Sequence, residues 1–89
     1  MPTALTPQRD AIPQGRVPNV VGKDHQLAQD TMQAAGFYNL SEEDASGQNR
    51  VLLFDRNWKV CSQSPAAGSE VREDRTIVLR SVKEEEKCP

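Results

Sequence analysis

The residues that could act as acids, bases or nucleophiles are few and scattered. His25 is the only histidine, and no sequence pattern places a serine or cysteine nucleophile beside it. We therefore interpret His25 as a solvated residue of a helix. Three adjacent carboxylates, Glu42, Glu43 and Asp44, do not form an acid–base pair, because successive side chains of a strand point to opposite faces. The sequence thus predicts no catalytic residues, no enzymatic activity and no cofactor.

The two cysteines, Cys61 and Cys88, do not form a C-x-x-C pair and have no histidines gathered around them. Zinc sites need ligands at such spacings. A metal site is therefore not expected, and the cysteines instead permit one disulfide bond. Two free thiols in a reducing compartment are the alternative.

Trp58 and its neighbours are the best candidates for contact with a ligand. Together with Arg50, Arg56 and Asn57, the Trp58 ring would form a flat platform with hydrogen-bond donors for a sugar or a peptide. The apolar run before it exceeds what a small helix-on-sheet domain needs. The alternative is that Trp58 packs over the sheet, since a lone tryptophan in a chain with 4% aromatic residues is often part of the core.

Charge and hydropathy exclude two classes of partner. The 89 residues carry 11 Lys and Arg against 13 Asp and Glu, and no basic stripe alternates with aromatic residues, so nucleic acid is not an expected partner. The apolar runs are a few residues long, far short of the ~20 that a membrane-spanning helix needs. The first residues also lack the pattern of a secretory signal, so no export signal is predicted.

Turn residues and apolar periodicity divide the chain into an arm, one small domain and a tail. Residues 1–16 are rich in Pro, Gln and Thr and predict an extended arm. Residues 17–22 predict an edge strand or strap, because Pro18 forbids a helix and Gly22 permits a sharp turn. Residues 83–89 form a charged tail that we expect to be solvated. The domain spans residues 17–82.

One helix and three strands are predicted within this domain. Asp24 suits a helix N-cap, and the periodicity predicts a helix over residues 25–35 that Gly36 ends, with Phe37 making the contact that follows. The apolar face of this helix is assigned to Leu27, Ala28, Thr31, Met32 and Ala35. Alternation predicts strands at residues 38–44, 58–63 and 76–82.

Three motifs in this order resemble the PASTA domain, a family named for penicillin-binding proteins and serine/threonine kinases. They are V-P-N-V-V-G at residues 17–22, a helix that ends in A-A-G at residues 34–36, and V-C-S-Q-S-P-A-A-G at residues 60–68. The family shows V-P-x-V-x-G, a helix ending in a-a-G, and V-x-x-Q-x-P-x-x-G before a last β-branched strand. The resemblance covers about residues 17–82, in a single copy.

The resemblance implies an α+β fold, with one helix packed on a three-stranded sheet and an extended N-terminal arm outside it. It also implies an extracellular, non-catalytic module that binds peptidoglycan fragments or β-lactams, or that spaces and docks neighbouring domains. The motif residues are scaffold positions, so they transfer a fold and no ligand contact. Residues 50–58 depart from the family, because they form a longer and more apolar link than is usual.

The family pattern also bears on the cysteines. Val60 stands at the core-facing position of the pattern, so alternation places Cys61 on the opposite face of its strand, where the tail can return with Cys88. A disulfide between Cys61 and Cys88 is therefore predicted, and it would favour an oxidising location.

Two functions follow as hypotheses. The first is a cell-envelope binding module that recognises a peptidoglycan fragment or a protein partner, with its contact surface formed by residues 51–58 and the arm. The alternative is an accessory structural subunit of a larger assembly, such as a phage virion decoration or tail-associated protein, in which the arm makes the assembly contact. The expected location is extracellular or the cell envelope for the first, and a virion or the cytoplasm for the second.

Overall fold

A three-stranded mixed sheet forms the centre of the molecule. The computed structural model describes residues 12–52 and 57–89. Strands β2 (Leu40–Asp44), β3 (Trp58–Ser64) and β5 (Ile77–Lys83) lie in the order β2-β5-β3, with β2 parallel and β3 antiparallel to β5. With the single helix α1 (His25–Ala34), this arrangement confirms the predicted α+β fold of one helix and a three-stranded sheet.

A second, two-stranded ribbon was not predicted. Strand β1 (Gln14–Arg16) pairs antiparallel with β4 (Glu70–Arg72), so the last residues assigned to the arm belong to a strand. Close packing favours glycine in β1, because a Cβ on Gly15 would lie 3.1 Å from Cζ of Phe37 and the ring would have to shift slightly. Residues 1–11 of the arm lie outside the described residues.

Residues 17–22 form a strap rather than a strand. Val17 and Val20 are buried. The Val17 amide donates to the Ser69 carbonyl at 2.9 Å, and the Val17 carbonyl accepts from the Gly68 amide at 2.8 Å, so the strap is bonded to the β3–β4 loop. At its other end, the Gly22 amide donates to the Val60 carbonyl at 2.8 Å. The strap therefore covers the outer edge of β3, which a bare strand would leave with unpaired backbone groups.

Helix α1 begins at the predicted cap and ends one residue earlier than predicted. The Asp24 carboxylate accepts from the amides of Gln26 at 2.7 Å and Leu27 at 3.4 Å, and Gly36, with φ +99°, reverses the chain after the helix. The buried face consists of His25, Ala28 and Met32.

Two side chains of this helix were assigned to the wrong environment. The periodicity predicts Leu27 on the apolar face, but its side chain is 51% exposed; the sequence also predicts a solvated His25, which is fully buried. The burial of His25 follows from its spacing, because positions 25, 28 and 32 follow the i, i+3, i+7 pattern of a buried helix face. The polar character of histidine concealed its place in that stripe.

The core lies between α1 and one face of the sheet. Strand positions 77, 79 and 81 point to this face, and all three side chains are buried. The apolar cluster is formed by Val17, Val20, Ala28, Met32, Phe37, Val60, Ile77 and Leu79. No helix among the described residues has the length and hydropathy to cross a membrane.

Replacing Asp24 with alanine is expected to lower the free energy of unfolding by about 1 kcal/mol, because two amides of the first helical turn lose their acceptor. Urea unfolding of the variant measures this loss. Asp30→Ala is the matched control, since Asp30 is exposed within α1 and caps nothing, and its effect is expected to stay within about 0.5 kcal/mol. Equal losses in the two variants would contradict the capping role.

Candidate functional site

The loop after β2 is built around the Asp44 carboxylate. Asp44 Oδ1 accepts from the backbone amide of Ser46 at 2.9 Å and from its hydroxyl at 2.7 Å, and Oδ2 accepts from the Arg50 amide at 3.0 Å. An aspartate that bonds the backbone two residues on is a typical turn former. Asn49, with φ +58°, takes the left-handed conformation that brings Arg50 back to Asp44.

Arg50 makes paired contacts with two carboxylates. Its Nε and Nη2 donate to Asp44 at 2.7 and 3.1 Å, while Nη1 and Nη2 donate to the two oxygens of Glu86 at 3.0 and 2.9 Å. Such fork-to-carboxylate pairs are geometrically specific and stronger than neutral hydrogen bonds. Arg50 therefore ties the loop after β2 to the C-terminal tail.

Trp58 lies under this guanidinium rather than forming an open platform. The ring is 4% exposed, and Cζ of Arg50 stands 5.0 Å from its centroid, within the range of a cation–π interaction. The ring is therefore covered by Arg50 and is not an open face, and the binding role of Arg50, Arg56, Asn57 and Trp58 stays a prediction. Asp44, Arg50, Trp58 and Glu86 are called the Arg50 cluster below.

The structure brings two of the four predicted binding residues together, Arg50 and Trp58. Asn57 precedes Trp58 and is exposed, and its carbonyl accepts from the Glu84 amide at 2.8 Å. Arg56 lies outside the described residues. Glu86 was missed because nothing in the acidic run of the tail distinguishes it from its neighbours. Asp44 carried a usable signal, since Asp-Ala-Ser-Gly is typical of a side-chain-capped turn.

The Arg50 cluster shifts the pKa values of its members in opposite directions. Hydrogen bonds from Arg50 hold the pKa of the Asp44 carboxyl far below its usual range, and the same guanidinium lowers the pKa of Glu86. The two carboxylates in turn raise the pKa of Arg50. All three groups are therefore charged throughout the neutral range, with the Asp44 side chain only 1% exposed.

These shifts predict how stability depends on pH. The pKa values of Asp44 and Glu86 are lower in the folded chain than their ordinary values of 3.8 and 4.5, so the unfolded chain takes up protons first as the pH falls. The stabilisation is complete above about pH 5 and is lost toward the folded-state pKa values. Urea unfolding compares the wild type with Arg50→Gln, which removes the cation.

The difference in the free energy of unfolding between the wild type and Arg50→Gln is expected to be largest near neutral pH and to decrease in acid. A gap that stays constant down to about pH 2 would mean that Arg50 acts through packing and not through charge.

The tail is fixed to the sheet by the predicted disulfide. Cys61 and Cys88 are bonded, with their Cα atoms 5.5 Å apart. The register of β3 against β5 shifts between Val60 and Ser62, which places Cys61 in a bulge of β3. The charged run of the tail is therefore only partly solvated. Lys83, Glu84, Glu85 and Lys87 are exposed, but Glu86 and Cys88 are held.

A polar cleft of about 470 Å³ adjoins the Arg50 cluster. It is lined by Glu42, Glu43, Asp44, Gly47, Asn49, Arg50 and Arg80. Arg80 pairs with Glu43 at 3.3 Å, and Gln29 of α1 donates to Glu42. No sequence pattern indicates this cleft, because β2, its loop and β5 meet only in the folded sheet.

The chemistry available here is binding chemistry. The cleft carries carboxylates, guanidinium groups and one amide, all suited to hydrogen bonds and ion pairs with a polar ligand. In the described part of the chain, no group of three or more His, Cys, Asp or Glu side chains is arranged to hold a metal ion.

Comparison with known proteins identifies the fold family. The family model described as PASTA domain matches residues 15–83, from β1 to the last residue of β5. No curated protein matches the chain. The match covers well over half of the sequence and the elements that position the Arg50 cluster. The chain therefore belongs to the PASTA domain family.

Proposed function

We propose that this chain is a binding module of the cell envelope whose ligand is a peptidoglycan fragment. PASTA domains are small binding modules associated with cell-wall proteins, and the match over residues 15–83 is the observation that carries the proposal. The chemistry of the cleft supports it. Muropeptides carry sugar hydroxyls, carboxylates and amines, and the exposed side chains of Glu42, Glu43 and Arg80 in the cleft offer partners for each.

The proposed contact surface comprises the cleft and residues 51–58, of which the structure describes 51, 52, 57 and 58. Val51 is 71% exposed and Asn57 is exposed, and they stand at the two ends of the segment that contains Arg56. An apolar side chain and an amide held at the surface suit the mixed character of a glycopeptide. Arg50 supports this surface by holding the loop and the tail, and its own donors are engaged by Asp44 and Glu86.

The disulfide supports the proposed location. Disulfide bonds persist in oxidising compartments such as the cell surface and are rare in the cytosol, and PASTA domains are usually extracellular. Alkylation of the protein taken directly from its native source measures this. The oxidised chain is expected to resist alkylation until it is reduced. No observation on the described residues favours the accessory-subunit alternative.

Titration of the isotopically labelled chain with a purified muropeptide tests the ligand and its surface. Resonances of Arg56, Asn57 and the Trp58 indole are expected to shift in a saturable manner. Asn57→Ala is expected to weaken binding, whereas Gln33→Ala, which changes an exposed side chain of α1, leaves it unchanged. Shifts confined to the helix around Gln26 and Gln33, or no saturable shift, would contradict the proposal.

A further inference from the structure

Strand β2 forms one outer edge of the three-stranded sheet. It pairs with β5, and among residues 12–52 and 57–89 no strand lies on its other side. The opposite outer edge, that of β3, is covered by the strap through Gly22 and Lys23, which bond to Val60, and by the bridge from Asp24 to Lys59. The two edges therefore differ, and β2 is the one without a backbone partner in the described part of the chain.

Two hydrogen bonds show which backbone groups of β2 point outward. Asn39 O accepts from Ile77 N at 2.9 Å, and Ala45 N donates to Ser81 O at 2.7 Å. In a parallel pair, alternate residues bond to the same neighbour, so positions 39, 41, 43 and 45 face β5. The backbone groups of Leu40 and Glu42 consequently face away from the sheet. The Asp44 amide faces the same way, while its carbonyl accepts from Gly47 at 3.2 Å.

The polar cleft lies along this same edge. Glu42 and Glu43 are neighbours on one strand, so their side chains point to opposite faces of the sheet. Because the side chains of Glu42 and Glu43 both line the cleft, the cleft extends across the edge of β2 and is not confined to one face of the sheet. The loop residues Gly47 and Asn49 also line this space. Its position leaves room for an extended chain beside β2.

Charge identifies the occupant. Arg80 Nε lies 3.3 Å from Glu43 Oε1, and the two side chains are 56% and 48% exposed. Such an exposed ion pair contributes little to stability, so its partners can be exchanged readily. Glu42 accepts a hydrogen bond from the Gln29 side chain, an exposed contact that a cation could replace. Glu42 and Glu43 therefore offer one exchangeable carboxylate on each side of the edge, whereas Asp44 is engaged by Arg50. A second copy of β2 would bring like charges together, which is a common protection of sheet edges against self-pairing.

We propose that the β2 edge docks an extended basic segment of a partner protein as an added strand. The segment bonds through its backbone to Leu40 and Glu42, and two adjacent cationic side chains reach Glu42 and Glu43 on opposite faces. This is strand addition, in which backbone bonds give affinity and alternate side chains give specificity. The proposal goes beyond the recognition of wall fragments and does not depend on it.

A blocked peptide, acetyl-Val-Thr-Lys-Arg-Thr-Val-amide, provides the probe. Added to the labelled, disulfide-bonded chain, it is expected to move the amide protons of Leu40 and Glu42 downfield and to slow their exchange with water. Glu42→Pro removes one outward N–H without breaking a bond to β5, and is expected to weaken binding about two- to tenfold. A peptide that is N-methylated at alternate residues is expected not to bind.

Charge reversal is the second test. It remains informative even if the proline in Glu42→Pro disturbs the conformation of β2. Glu42→Lys with Glu43→Lys is expected to weaken binding about tenfold. Glu84→Lys with Glu85→Lys is the matched control, since it makes the same change of net charge on exposed tail residues and is expected to keep most of the affinity.

Three results would overturn the proposal. They are an absence of shifts at millimolar peptide, equal binding of the N-methylated peptide, and equal weakening by the two charge reversals. Protection of the same amides that grows with protein concentration alone would assign the edge to a second copy and would also overturn it. The muropeptide titration is a separate experiment on the same chain, so either proposal can fail while the other stands.

Discussion

Replacing Cys61 and Cys88 with serine is expected to lower the free energy of unfolding by roughly 3–4 kcal/mol. The bond closes a loop with a sequence separation of 27, and the chain-entropy model assigns this loss to the greater freedom of the unfolded chain. In a domain of this size each kcal/mol moves the Tm by about 4–8 °C, so the Tm falls by roughly 12–30 °C. Thermal unfolding followed by circular dichroism measures it.

Treatment with a reductant distinguishes the effect of losing the disulfide bond from the effect of replacing the two cysteine side chains. Dithiothreitol is expected to lower the Tm of the wild type toward that of the double variant and to leave the double variant unchanged. A wild-type Tm that is insensitive to the reductant would mean that the tail is not held by Cys88. In that case the argument for an oxidising location would lose its support.

Replacing Gln63 with alanine is expected to lower the free energy of unfolding by about 2–4 kcal/mol, the second largest effect that we predict. The Gln63 side chain donates to the Pro18 carbonyl at 2.8 Å and accepts from the Val20 amide at 2.8 Å. Alanine leaves both of these partly buried backbone groups unsatisfied, and each costs about 1–3 kcal/mol. Urea unfolding gives the loss directly.

Gln63→Glu and Gln33→Ala complete this test. Glutamate can still accept from Val20, but it faces the Pro18 carbonyl without a donor, so it is expected to lose a similar amount of stability. Gln33 is exposed on α1, and its replacement is expected to change the free energy of unfolding by less than about 0.5 kcal/mol. If Gln63→Ala behaved like Gln33→Ala, Gln63 would not fasten the strap to β3.

Local signals predicted the central elements of the fold. Asp24 and Gly36 marked the two ends of α1, because a cap acts within one turn of the chain. Strand β5 was evident from its β-branched alternation, and β3 from Val60 and its neighbours. The ribbon of β1 and β4 escaped prediction because Gln14–Arg16 and Glu70–Arg72 have little strand propensity, and only their mutual pairing makes them strands.

The candidate site was less accessible to sequence reasoning, because its parts come from distant positions. Arg50 and Trp58 were selected as surface residues, yet Asp44 and Glu86 occupy the guanidinium and the guanidinium covers the ring. Nothing in the sequence links positions 44 and 86. The disulfide was predicted from the family pattern, which puts Val60 in the core and Cys61 next to it, whereas the bulge at Cys61 is a feature that alternation does not contain.

The Arg50 cluster gives the unusual segment after β2 a structural role. The resemblance to the PASTA family implied a shorter and less apolar link at residues 50–58. In this chain, the beginning of that link is fixed by Asp44 and Glu86, and its end by Trp58 beneath Arg50. Both ends of the proposed contact surface are thus held by contacts that also hold the tail.

Co-sedimentation of the disulfide-bonded chain with purified insoluble peptidoglycan tests the central claim, that this PASTA domain binds wall material, most directly. The chain is expected to pellet with the peptidoglycan along a saturable isotherm, to be released by soluble muropeptide, and to remain in solution with cellulose as the matched polymer. Recovery of the folded chain in the supernatant at every peptidoglycan concentration, or equal pelleting with cellulose, would contradict the account.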